Sequence, residues 1–589
     1  MPLVDRQLPQ GARPFDVMGD GVRLSAFAYG DAVKPTIVLV HGYPDSSCVW
    51  DGVVPLLADQ YHVVTYDVRG CGASDVPPKV RDYRMAHLIA DLKAVIDHVS
   101  PDKPVHVVGH DWGSIQSWNA MMDESLKGRV TSYTSMSGIS FDHVGVWLRK
   151  QFKTLRLGRA FGQLFRSWYF YMFHVPYLAP WAWKRGIAKR WPKMLERNEG
   201  IKGHRNPTQL KDGVNGIQLY RANFFPHVGR PNPGKVHVPV QLIELKNDPF
   251  VSPHLFSDHG QLVDDLWKRE VFSAHWLPLK NPTLVARFVD EFVTHMEGGP
   301  ETLALKRAKV LAKADPEKPF DGRQVFVTGA GSGIGRSAAL KFAGEGADLL
   351  LGDINLAGAE DTAQQVRDLG REARAYQIDV SDKAAMEALA DQIDREAGPV
   401  DIVLNNAGIG MSGGFLETSV ADWERIVGIN FWSVIYGGNL FAQRMVDDMR
   451  PGHIVNTASA AGFTPLRIYP AYATTKAAVL MLSECQHADF LDQGIGVTAV
   501  CPGFADTGIA KATEHKGVSS EEEERRRDDA DKMYKRRALT PDTVADAILR
   551  AVKKNKPVVL VGAEAYLGRF VQRIVPWAGR RLARLKPSD

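Results

Sequence analysis

The chain reads Gly109-His110-Asp111-Trp112-Gly113 directly after the apolar run VHVV and ahead of a predicted helix. Small residues two positions on either side of a central residue permit a strained turn from strand to helix, and this turn projects the central side chain over the sheet. The side chain projected here is the carboxylate of Asp111. A carboxylate in this place can displace a leaving group at saturated carbon and form an ester. The alternative is a loop aspartate that caps the following helix.

Other residues of the first half complete a predicted catalytic arrangement around this carboxylate. The HGYP motif follows the first apolar run, and the backbone N–H groups of Tyr43 and Trp112 are predicted to meet at the ester oxygen. Asp248 and His275 each follow a late strand. We expect His275 to activate water while Asp248 orients its imidazole. Three residues stay open as alternatives for the acid or the base: Asp142, His254 and His259.

The first half, residues 1–297, is predicted to be an α/β domain. Continuous apolar, β-branched runs suit the strands of a mostly parallel sheet that is buried on both faces. The runs are TIVLVHG, YHVVTYDV, PVHVVGHD, VTSYTSMS, VPVQLIEL and REVFSAH. After the fourth run, a basic and aromatic segment at about residues 140–236 interrupts the series. We expect this insertion to form a helical cap over the ligand edge of the sheet.

These motifs resemble the α/β-hydrolase superfamily, and within it the branch of epoxide hydrolases and haloalkane dehalogenases. The turn at Asp111, the HGYP motif, and the chain order Asp111, Asp248, His275 carry the resemblance. The turn motif RGCGASD at residues 69–75 is similar to a further motif of that branch. The resemblance implies an α/β-hydrolase fold with a helical cap and an ester intermediate on Asp111.

The cap decides between the two chemistries of this branch. Epoxide hydrolases resemble one another in that their caps carry two tyrosines that hydrogen-bond the epoxide oxygen. In this chain, the sequences around Tyr169 and Tyr220 are similar to those around the two family tyrosines. Tyr171 and Tyr177 are alternatives to Tyr169. Trp112 favours a dehalogenase, because a tryptophan after the nucleophile can cradle halide in that family. We expect an epoxide substrate.

A second α/β pattern begins near residue 318. Its apolar runs are QVFVTG, LLLGDIN, ARAYQIDV, PVDIVLNNAG, GHIVNTAS and GVTAVCPG. The segment TGAGSGIG at residues 328–335 follows the first run and opens a helix. Glycines permit a tight turn there, and a pyrophosphate can rest on the helix N-terminus. The residues predicted to bind it are Gly329, Ser332, Gly333, Ile334 and Gly335.

An acidic residue follows this turn at the distance that a ribose contact requires. Asp353 ends the next strand, twenty residues after Gly333. A carboxylate there accepts hydrogen bonds from the adenosine ribose and repels a 2′-phosphate, so NAD is the favoured cofactor. Arg336 stands nearby and keeps NADP open as the alternative.

The pattern T-G-x-x-x-G-x-G resembles the short-chain dehydrogenase/reductase family, and the resemblance covers residues 318–561. It implies a Rossmann-type domain. Asp379 and Val380 match the family's positions beside the adenine, Asn406 lies in the NNAG motif after the next strand, and Thr507 matches the position that meets the nicotinamide amide.

The family's catalytic tetrad is matched by Asn430, Ser459, Tyr472 and Lys476. Tyr472 and Lys476 are four residues apart, so one face of a helix presents both, and they also belong to the predicted cofactor site. A nearby lysine cation is predicted to lower the pKa of the phenol. We expect Tyr472 to exchange a proton with the carbinol while Ser459 holds the substrate oxygen.

The net charge of +4 hides an asymmetry. Residues 149–202 contain thirteen Lys or Arg against two Glu, a local charge of +11, so the remainder of the chain carries −7. Basic residues interleaved with Trp and Phe indicate an anionic surface of lipid headgroups, or else a basic solvated face of the cap. The basic tail at residues 569–586 offers the same two interpretations. No nucleic-acid-binding module accompanies the charge, so nucleic acid is not expected as a partner.

Composition also limits the compartment and the metal chemistry. No apolar stretch is long enough to span a membrane, and no signal peptide is evident. The four cysteines show no C-x-x-C spacing, so neither a disulfide framework nor a metal site is expected. We expect a cytoplasmic protein, with peripheral attachment to the inner face of the membrane as an alternative.

The whole chain resembles the fused hydrolase–dehydrogenase proteins of actinobacteria, the epoxide hydrolases of the D type. We expect a linker at residues 298–317 and a dehydrogenase domain at residues 318–589. The resemblance implies a bifunctional enzyme that opens a lipid or fatty acyl epoxide to a vicinal diol and interconverts an alcohol and a ketone. A homo-oligomer through the dehydrogenase domain is expected. The alternatives are a haloalkane dehalogenase fused to an alcohol dehydrogenase, or one half acting as a non-catalytic, lipid-binding scaffold.

Overall fold

A computed structural model divides the chain into two compact units, Met1–Ala312 and Lys313–Asp589. The structure describes residues 6, 8–257, 262–310, 318–536 and 539–583. His259, the end of the predicted linker at 311–317 and the end of the basic tail beyond residue 583 lie outside the described residues. Within the described part of the chain, no helix has the length and apolar content to cross a membrane.

An eight-stranded sheet forms the centre of the first unit, in the order β1-β2-β4-β3-β5-β6-β7-β8. β2 pairs antiparallel with β1 and β4, and the neighbours from β4 to β8 are parallel. The strands are β1 Arg13–Met18, β2 Arg23–Tyr29, β3 Thr36–Val40, β4 His62–Tyr66, β5 Val105–His110, β6 Val130–Met136, β7 Val240–Leu245 and β8 Leu266–Val271. The parallel part corresponds to the six predicted runs and confirms the predicted α/β-hydrolase fold.

Helices cover this sheet, and seven of them, α4 to α10, lie between β6 and β7 in the chain as the cap. The helices of the first unit are α1 Val54–Leu57, α2 Met85–Val99, α3 Trp112–Ala120, α4 Phe141–Lys153, α5 Leu157–Arg166, α6 Trp168–His174, α7 Leu178–Ala182, α8 Ala188–Glu199, α9 Gln209–Asn215, α10 Ile217–Gly229, α11 Leu277–Lys280, α12 Pro282–Met296 and α13 Leu303–Ala308.

The first part of the predicted linker packs against the first unit. α13 lies within residues 298–310, and Leu305 is fully buried against Trp267 and Phe292. Lys309 forms a β-bridge with Trp267 and places its ammonium 4.7 Å from the indole ring centroid. The sequence assigned these residues to a linker because they are polar and helix-prone, and a single apolar residue supplies most of their burial.

A seven-stranded parallel sheet forms the centre of the second unit, in the order β11-β10-β9-β12-β14-β15-β17. A separate parallel pair joins β13 to β16. The strands are β9 Gln324–Thr328, β10 Asp348–Asp353, β11 Ala373–Gln377, β12 Ile402–Asn405, β13 Met411–Ser412, β14 Gly452–Thr457, β15 Ile495–Pro502, β16 Glu514–His515 and β17 Val558–Val561. This topology confirms the predicted Rossmann-type fold.

Helices bury both faces of this sheet. Because successive side chains of a strand point to opposite faces, each strand contributes to both cores. Val325 and Val327 pack with α14, α15 and α22, whereas Phe326 packs with α16 and α18. The helices of the second unit are α14 Gly333–Gly344, α15 Leu356–Asp368, α16 Lys383–Glu396, α17 Val420–Val427, α18 Ser433–Asp447, α19 Pro470–Phe490, α20 Ile509–Ala512, α21 Ser520–Arg536, α22 Pro541–Lys554, α23 Ala563–Ile574 and α24 Pro576–Leu582.

Candidate active sites

Asp111 occupies a strained turn between β5 and α3. Its backbone has φ 52° and ψ −119°, a conformation that costs energy for any residue with a Cβ. A Cβ at Gly113 would lie 2.0 Å from the carbonyl oxygen of Val40, and one at Gly109 would lie 2.7 Å from the Cα of Ser114. The two glycines are therefore required by close packing, and they leave Asp111 at the end of the sheet.

The loop after β3 binds one oxygen of this carboxylate. The Tyr43 N–H donates a hydrogen bond to Asp111 Oδ1 at 2.6 Å. A Cβ at Gly42 would lie 2.4 Å from the same oxygen, so glycine is needed for this approach. Trp112 is the first residue of α3, and its N–H as a second donor to the ester oxygen stays a prediction.

His275 lies between two carboxylates. Its Nδ1 is 2.8 Å from Asp248 Oδ2, and its Nε2 is 3.4 Å from Asp111 Oδ2. The N–H groups of Phe250 and Val251 donate to Asp248 Oδ1 at 2.7 and 3.0 Å, which fixes this carboxylate. The structure thus brings together the nucleophile, acid and base candidates that the chain order predicted.

The alternative acid and base lie elsewhere. Asp142 lies in the first turn of α4. Its Oδ2 is 2.8 Å from His227 Nδ1, and its Oδ1 accepts from the Asn232 N–H at 2.9 Å. His254 is exposed in the loop after β7. Neither residue contacts Asp111 or Asp248 in the described part of the chain.

The environment of His275 favours its imidazolium form. Burial lowers the pKa of this imidazole, but the charges and hydrogen bonds of Asp248 and Asp111 outweigh burial and hold the pKa well above its usual range. The cation therefore depends on both neighbouring carboxylates, one on each ring nitrogen.

A pocket that is partly open to solvent has Asp111 among the residues of its wall. Its walls are mostly apolar, and Tyr169 and Tyr220 are among the residues that line it, with ring centroids 5.9 Å apart. Tyr171 and Tyr177 are 46% and 86% exposed and do not line this pocket in the described structure. Of the cap tyrosines predicted from the sequence, Tyr169 and Tyr220 are the pair that shares a pocket with Asp111.

Both pocket phenols are held in their protonated form. Burial, followed by the charges of Asp111 and Asp248, raises the pKa of Tyr169 well above its ordinary value. Burial, followed by Tyr169 and Asp111, does the same for the pKa of Tyr220. Each phenol is therefore a hydrogen-bond donor at neutral pH.

Trp112 does not line the pocket among the described residues. Its indole is 2% exposed, and its ring centroid lies 5.2 Å from Phe141 and 5.0 Å from Tyr220, both edge-on. The ring packs beneath the cap and supports Tyr220.

Three cap residues that the sequence did not indicate hold the loops of the acid and the base. Glu199 at the end of α8 accepts hydrogen bonds from the His275 and Trp276 N–H groups at 3.2 and 3.4 Å. Arg166 donates to the carbonyl oxygen of Asp248 at 2.5 Å. Gln163 accepts from the Ser252 N–H at 2.9 Å. These contacts join residues 76 to 89 positions apart, and no spacing rule pairs them.

In the second unit, the glycine turn forms a cradle between β9 and α14. A Cβ at Gly335 would lie 2.1 Å from the carbonyl oxygen of Gly329, and Gly333 has φ +53°. Ser332 is the N-cap of α14, yet its side chain makes no capping hydrogen bond, and Ile334 packs on the core. The first N–H groups of α14 are therefore left for an anion, which fits a dinucleotide pyrophosphate.

Asp353 and Arg336 lie on either side of this turn. Asp353 Oδ2 accepts from the Gly331 N–H at 2.8 Å, and its carboxylate retains further lone pairs for a ribose. Arg336 forms an ion pair with Asp361 at 2.9 Å and donates to the Gly331 carbonyl at 2.6 Å. The positive charge of Arg336 is thus already paired.

The remaining predicted cofactor contacts follow the carboxyl ends of three strands of the same sheet. Asp379 is exposed after β11, and Val380 beside it is buried. Asn406 follows β12 and donates to the carbonyl oxygen of Thr328 at 3.2 Å. Thr507 follows β15, and a Cβ at Gly333 would lie 3.0 Å from its Cβ. One edge of the sheet therefore carries all of them.

The predicted tetrad gathers at the same edge. Asn430 is fully buried, and its Oδ1 accepts from the Ile409 N–H at 2.8 Å. A Cβ at Gly408 would lie 3.1 Å from Asn430 Oδ1 and 3.4 Å from Lys476 Nζ. Lys476 Nζ is 5.9 Å from the Tyr472 ring centroid, and Ser459 hydrogen-bonds the phenol.

The predicted lowering of the Tyr472 pKa is wrong for this structure. Burial raises the pKa of the phenol, and the Ser459 hydrogen bond offsets part of that rise. Lys476 donates to the Thr457 carbonyl at 2.8 Å, and burial lowers its own pKa to about 8. The sequence places a lysine one helical turn from the tyrosine, but the cost of burying both groups is a property of the folded site.

Comparisons with known proteins agree with both folds. Residues 35–282 match the model of the alpha/beta hydrolase fold, and residues 323–517 match that of the short chain dehydrogenases. Over 579 residues the chain is 40% identical to the probable oxidoreductase EphD of Mycobacterium tuberculosis, covering 96% of this chain and 97% of that protein. The meso-2,3-butanediol dehydrogenase of Serratia marcescens is 35% identical over 190 residues, which cover 32% of this chain and 74% of that enzyme.

Solved structures of short-chain dehydrogenases are similar to part of this chain. A short-chain dehydrogenase from Burkholderia phymatum in complex with NAD is 31% identical, with a TM-score of 0.40, and covers 46% of this chain and 99% of that one. A short-chain dehydrogenase from Sphingobium yanoikuyae in complex with NADPH is 27% identical, with a TM-score of 0.36, and covers 45% and 98%.

The first unit is an α/β-hydrolase domain and the second is a short-chain dehydrogenase domain. The chain belongs to the family of fused α/β-hydrolase and short-chain dehydrogenase proteins that includes the mycobacterial EphD proteins. A nicotinamide dinucleotide is the cofactor that such a dehydrogenase domain takes, and the glycine cradle fits it.

Proposed function

We propose that the first unit hydrolyses an epoxide to a vicinal diol through an ester on Asp111, and that the second unit interconverts an alcohol and a ketone with NAD. One observation carries the hydrolase proposal: a single pocket holds the Asp111 carboxylate and two protonated phenols. A carboxylate nucleophile and a proton donor on opposite sides of a ligand are what ring opening requires. The apolar walls favour a lipid or fatty acyl epoxide.

In the first step, Asp111 attacks one epoxide carbon. Tyr43 holds Oδ1, so the attack comes from Oδ2. A bond forms between Oδ2 and carbon as the carbon–oxygen bond of the ring breaks. The released oxygen takes a proton from Tyr169 or Tyr220 and becomes a hydroxyl group. The product of this step is a hydroxyalkyl ester of Asp111.

In the second step, His275 acts as the base. Esterification removes the negative charge 3.4 Å from Nε2, which lowers the pKa of His275 and favours the neutral imidazole. The proton that His275 gives up restores the phenol that was deprotonated in the first step. Neutral His275 takes a proton from water, and the hydroxide adds to the ester carbonyl carbon. The Tyr43 N–H stabilises the oxyanion that forms at Oδ1. As this intermediate collapses, the bond between its central carbon and Oδ2 breaks, the proton of the added hydroxyl group passes to Oδ2, and the diol leaves the restored carboxylate.

We expect Tyr169→Phe and Tyr220→Phe each to slow ester formation by roughly 10²–10⁴-fold, the range for a positioned acid. The phenol is the proton source, and phenylalanine keeps the shape of the pocket. Burst kinetics with an epoxide, followed by intact mass, measure this step.

Tyr171→Phe is the matched control, because it removes an exposed phenol from the same helix as Tyr169 and is expected to leave the rate unchanged. A double Tyr169→Phe, Tyr220→Phe variant that still turns over haloalkanes, from a parent protein that never opens epoxides, would establish the dehalogenase alternative instead.

In the second unit, the proposed roles follow from the contacts of the tetrad. When bound, the nicotinamide supplies the acceptor or donor of the hydride. Ser459 holds the carbinol oxygen, and Tyr472 takes or gives the hydroxyl proton. Lys476, with a pKa of about 8, carries a positive charge through most of the neutral range and favours the phenolate when Tyr472 gives up its proton. Asn430 fixes the backbone at Ile409 and helps to form the floor of the site.

The paired charge of Arg336 supports NAD over NADP. We expect NADH to bind the protein more tightly than NADPH, because Asp353 repels a 2′-phosphate and Asp361 neutralises Arg336. Fluorescence titration with each reduced cofactor measures the preference directly. In Asp353→Ser the preference for NADH is expected to fall or reverse.

Asp382→Ser is the control, because this aspartate caps α16 at Ala385 and its charge lies outside the proposed ribose contact. Tighter NADPH binding by the unaltered protein would show that Arg336 outweighs Asp353.

A further inference from the structure

The outer face of α5 is apolar although it is exposed. Leu157, Phe161 and Phe165 follow one another at intervals of four residues, so they lie on one face of the helix, and they are 40%, 58% and 79% exposed. Ala160 and Gln163 lie on the buried face at 0% and 5%. A solvated helix face is normally polar, so this face is built for contact with something else.

Neighbouring segments extend this apolar surface. The ring centroid of Phe152, at the end of α4, is 6.1 Å from that of Phe161, edge-on. Leu155 and Trp168 flank the two ends of α5 and are 79% and 58% exposed. The cap patch is defined here as Phe152, Leu155, Leu157, Phe161, Phe165 and Trp168. Exposed apolar clusters of this kind mark interaction sites on proteins.

The charge around the cap patch has one sign. Lys153, Arg156 and Arg159 are exposed between its apolar members. Residues 149–202 contain thirteen basic residues and two glutamates. One of the two glutamates, Glu199, is buried against the backbone of His275. Glu196 is therefore the one exposed carboxylate of that stretch, which the structure describes in full.

We infer that the cap patch docks on the surface of an anionic lipid membrane. Aromatic and aliphatic side chains enter the boundary between headgroups and acyl chains, while arginine and lysine pair with lipid phosphates. A protein interface fits less well, because the core of such interfaces is depleted of charged residues, lysine above all. The described helices do not cross a membrane, so the attachment is peripheral.

Docking places one wall of the pocket at the membrane. α5 carries Phe161 and Phe165 on its outer face, while Gln163 and Leu164 of the same helix line the pocket. One helix therefore separates the pocket from the docked lipid surface, so a substrate dissolved in lipid lies close to the pocket. This consequence rests on the proposed hydrolase function, whereas docking itself does not.

The test is flotation of the full-length protein with vesicles of phosphatidylcholine alone and with vesicles that also contain phosphatidylglycerol. We expect binding to the anionic vesicles. Phe161→Ser with Phe165→Ser is expected to lower the partition coefficient at least about 10-fold, because two apolar side chains no longer leave water. Lys153→Gln with Arg156→Gln is expected to lower it by about fivefold per charge, and only on anionic vesicles.

Phe415→Ser with Leu416→Ser is the matched control, since these residues of the second unit are 69% and 95% exposed and lie outside the cap patch. This pair is expected to bind vesicles as the unaltered protein does. Turnover of a small water-soluble epoxide reports that the Phe161 and Phe165 variant is folded. Absence of any such turnover in the unaltered protein would defeat the hydrolase proposal and leave the vesicle result standing.

The inference is overturned if the unaltered protein does not float with anionic vesicles, or if the Phe161 and Phe165 variant floats equally well. It is also overturned if the cap patch variant instead abolishes a concentration-dependent dimer in sedimentation, which would assign the surface to a second copy of the chain.

Discussion

His275→Gln is expected to stop the first unit at a covalent ester on Asp111. Ester formation needs only the carboxylate and the two pocket phenols, and glutamine leaves these in place. Ester hydrolysis needs a base, and the imidazole 3.4 Å from Asp111 Oδ2 is removed. We expect turnover to fall by roughly 10²–10⁴-fold, and intact mass spectrometry to show the protein plus one epoxide.

His254→Gln is the matched control for this experiment. It removes a histidine of the same unit that is exposed and has no contact with Asp111 in the described structure. We expect it to turn over normally and to accumulate no adduct. An adduct in the His254 variant, together with normal turnover in the His275 variant, would reverse the assignment of the base.

The second large effect is expected at Tyr472 in the dehydrogenase unit. Tyr472→Phe removes the group that exchanges the carbinol proton but keeps the ring beside Lys476. We expect oxidation of a vicinal diol, measured as NADH formation, to fall by roughly 10²–10⁴-fold. The diol is the informative substrate, because its secondary carbinol is the group that such a tetrad oxidises.

Two measurements separate a chemical effect from a structural one. NADH binding by the Tyr472 variant, followed by fluorescence, is expected to persist, because the glycine cradle is unchanged. Tyr376→Phe removes a buried phenol of the same unit whose hydroxyl faces Glu396 at 3.4 Å, and it is expected to oxidise the diol normally. Full activity of the Tyr472 variant would contradict the proposed role of the tetrad. If neither the unaltered protein nor any variant oxidises the diol, the product of the first unit is not a substrate of the second.

Much of the fold could be predicted from local patterns. The parallel strands are β-branched runs with turn signals between them, as in the VFVT of β9, and such runs predict buried strands directly. β1 and β2 escaped prediction because RPFDVM and RLSAFAY contain one β-branched residue between them. β2 is nonetheless almost wholly buried, since its Ala and Ser side chains fit beside β4.

The central residues of both candidate sites could also be predicted, because the chemistry demands particular residue types at the ends of strands. Asp111, Asp248 and His275 each follow a strand, and parallel strands end at one edge of the sheet. Asp142 also follows a strand and looked equivalent. The structure separates the two aspartates, because Asp142 is bound by His227 and the Asn232 N–H.

The contacts made by the cap and the pKa shifts of the buried groups could not be predicted from the sequence. Glu199 holds the backbone of His275 from a helix that precedes it by 76 residues, and neither periodicity nor a motif relates them. Burial is the largest single effect on both His275 and Tyr472, but it lowers the pKa of the imidazole and raises the pKa of the phenol, and at His275 the two carboxylates together outweigh it. Only the folded site reveals which of these effects is larger.

Single-turnover hydrolysis in heavy-oxygen water shows whether a carboxylate of the first unit becomes an ester. With enzyme in excess over epoxide, water attacks the ester carbonyl carbon, so the heavy oxygen is expected in the peptide that contains Asp111. The diol of that turnover should take its new oxygen from the carboxylate and remain unlabelled. Heavy oxygen in the diol, with none in the Asp111 peptide, would mean that water attacks the epoxide directly, and would contradict the account.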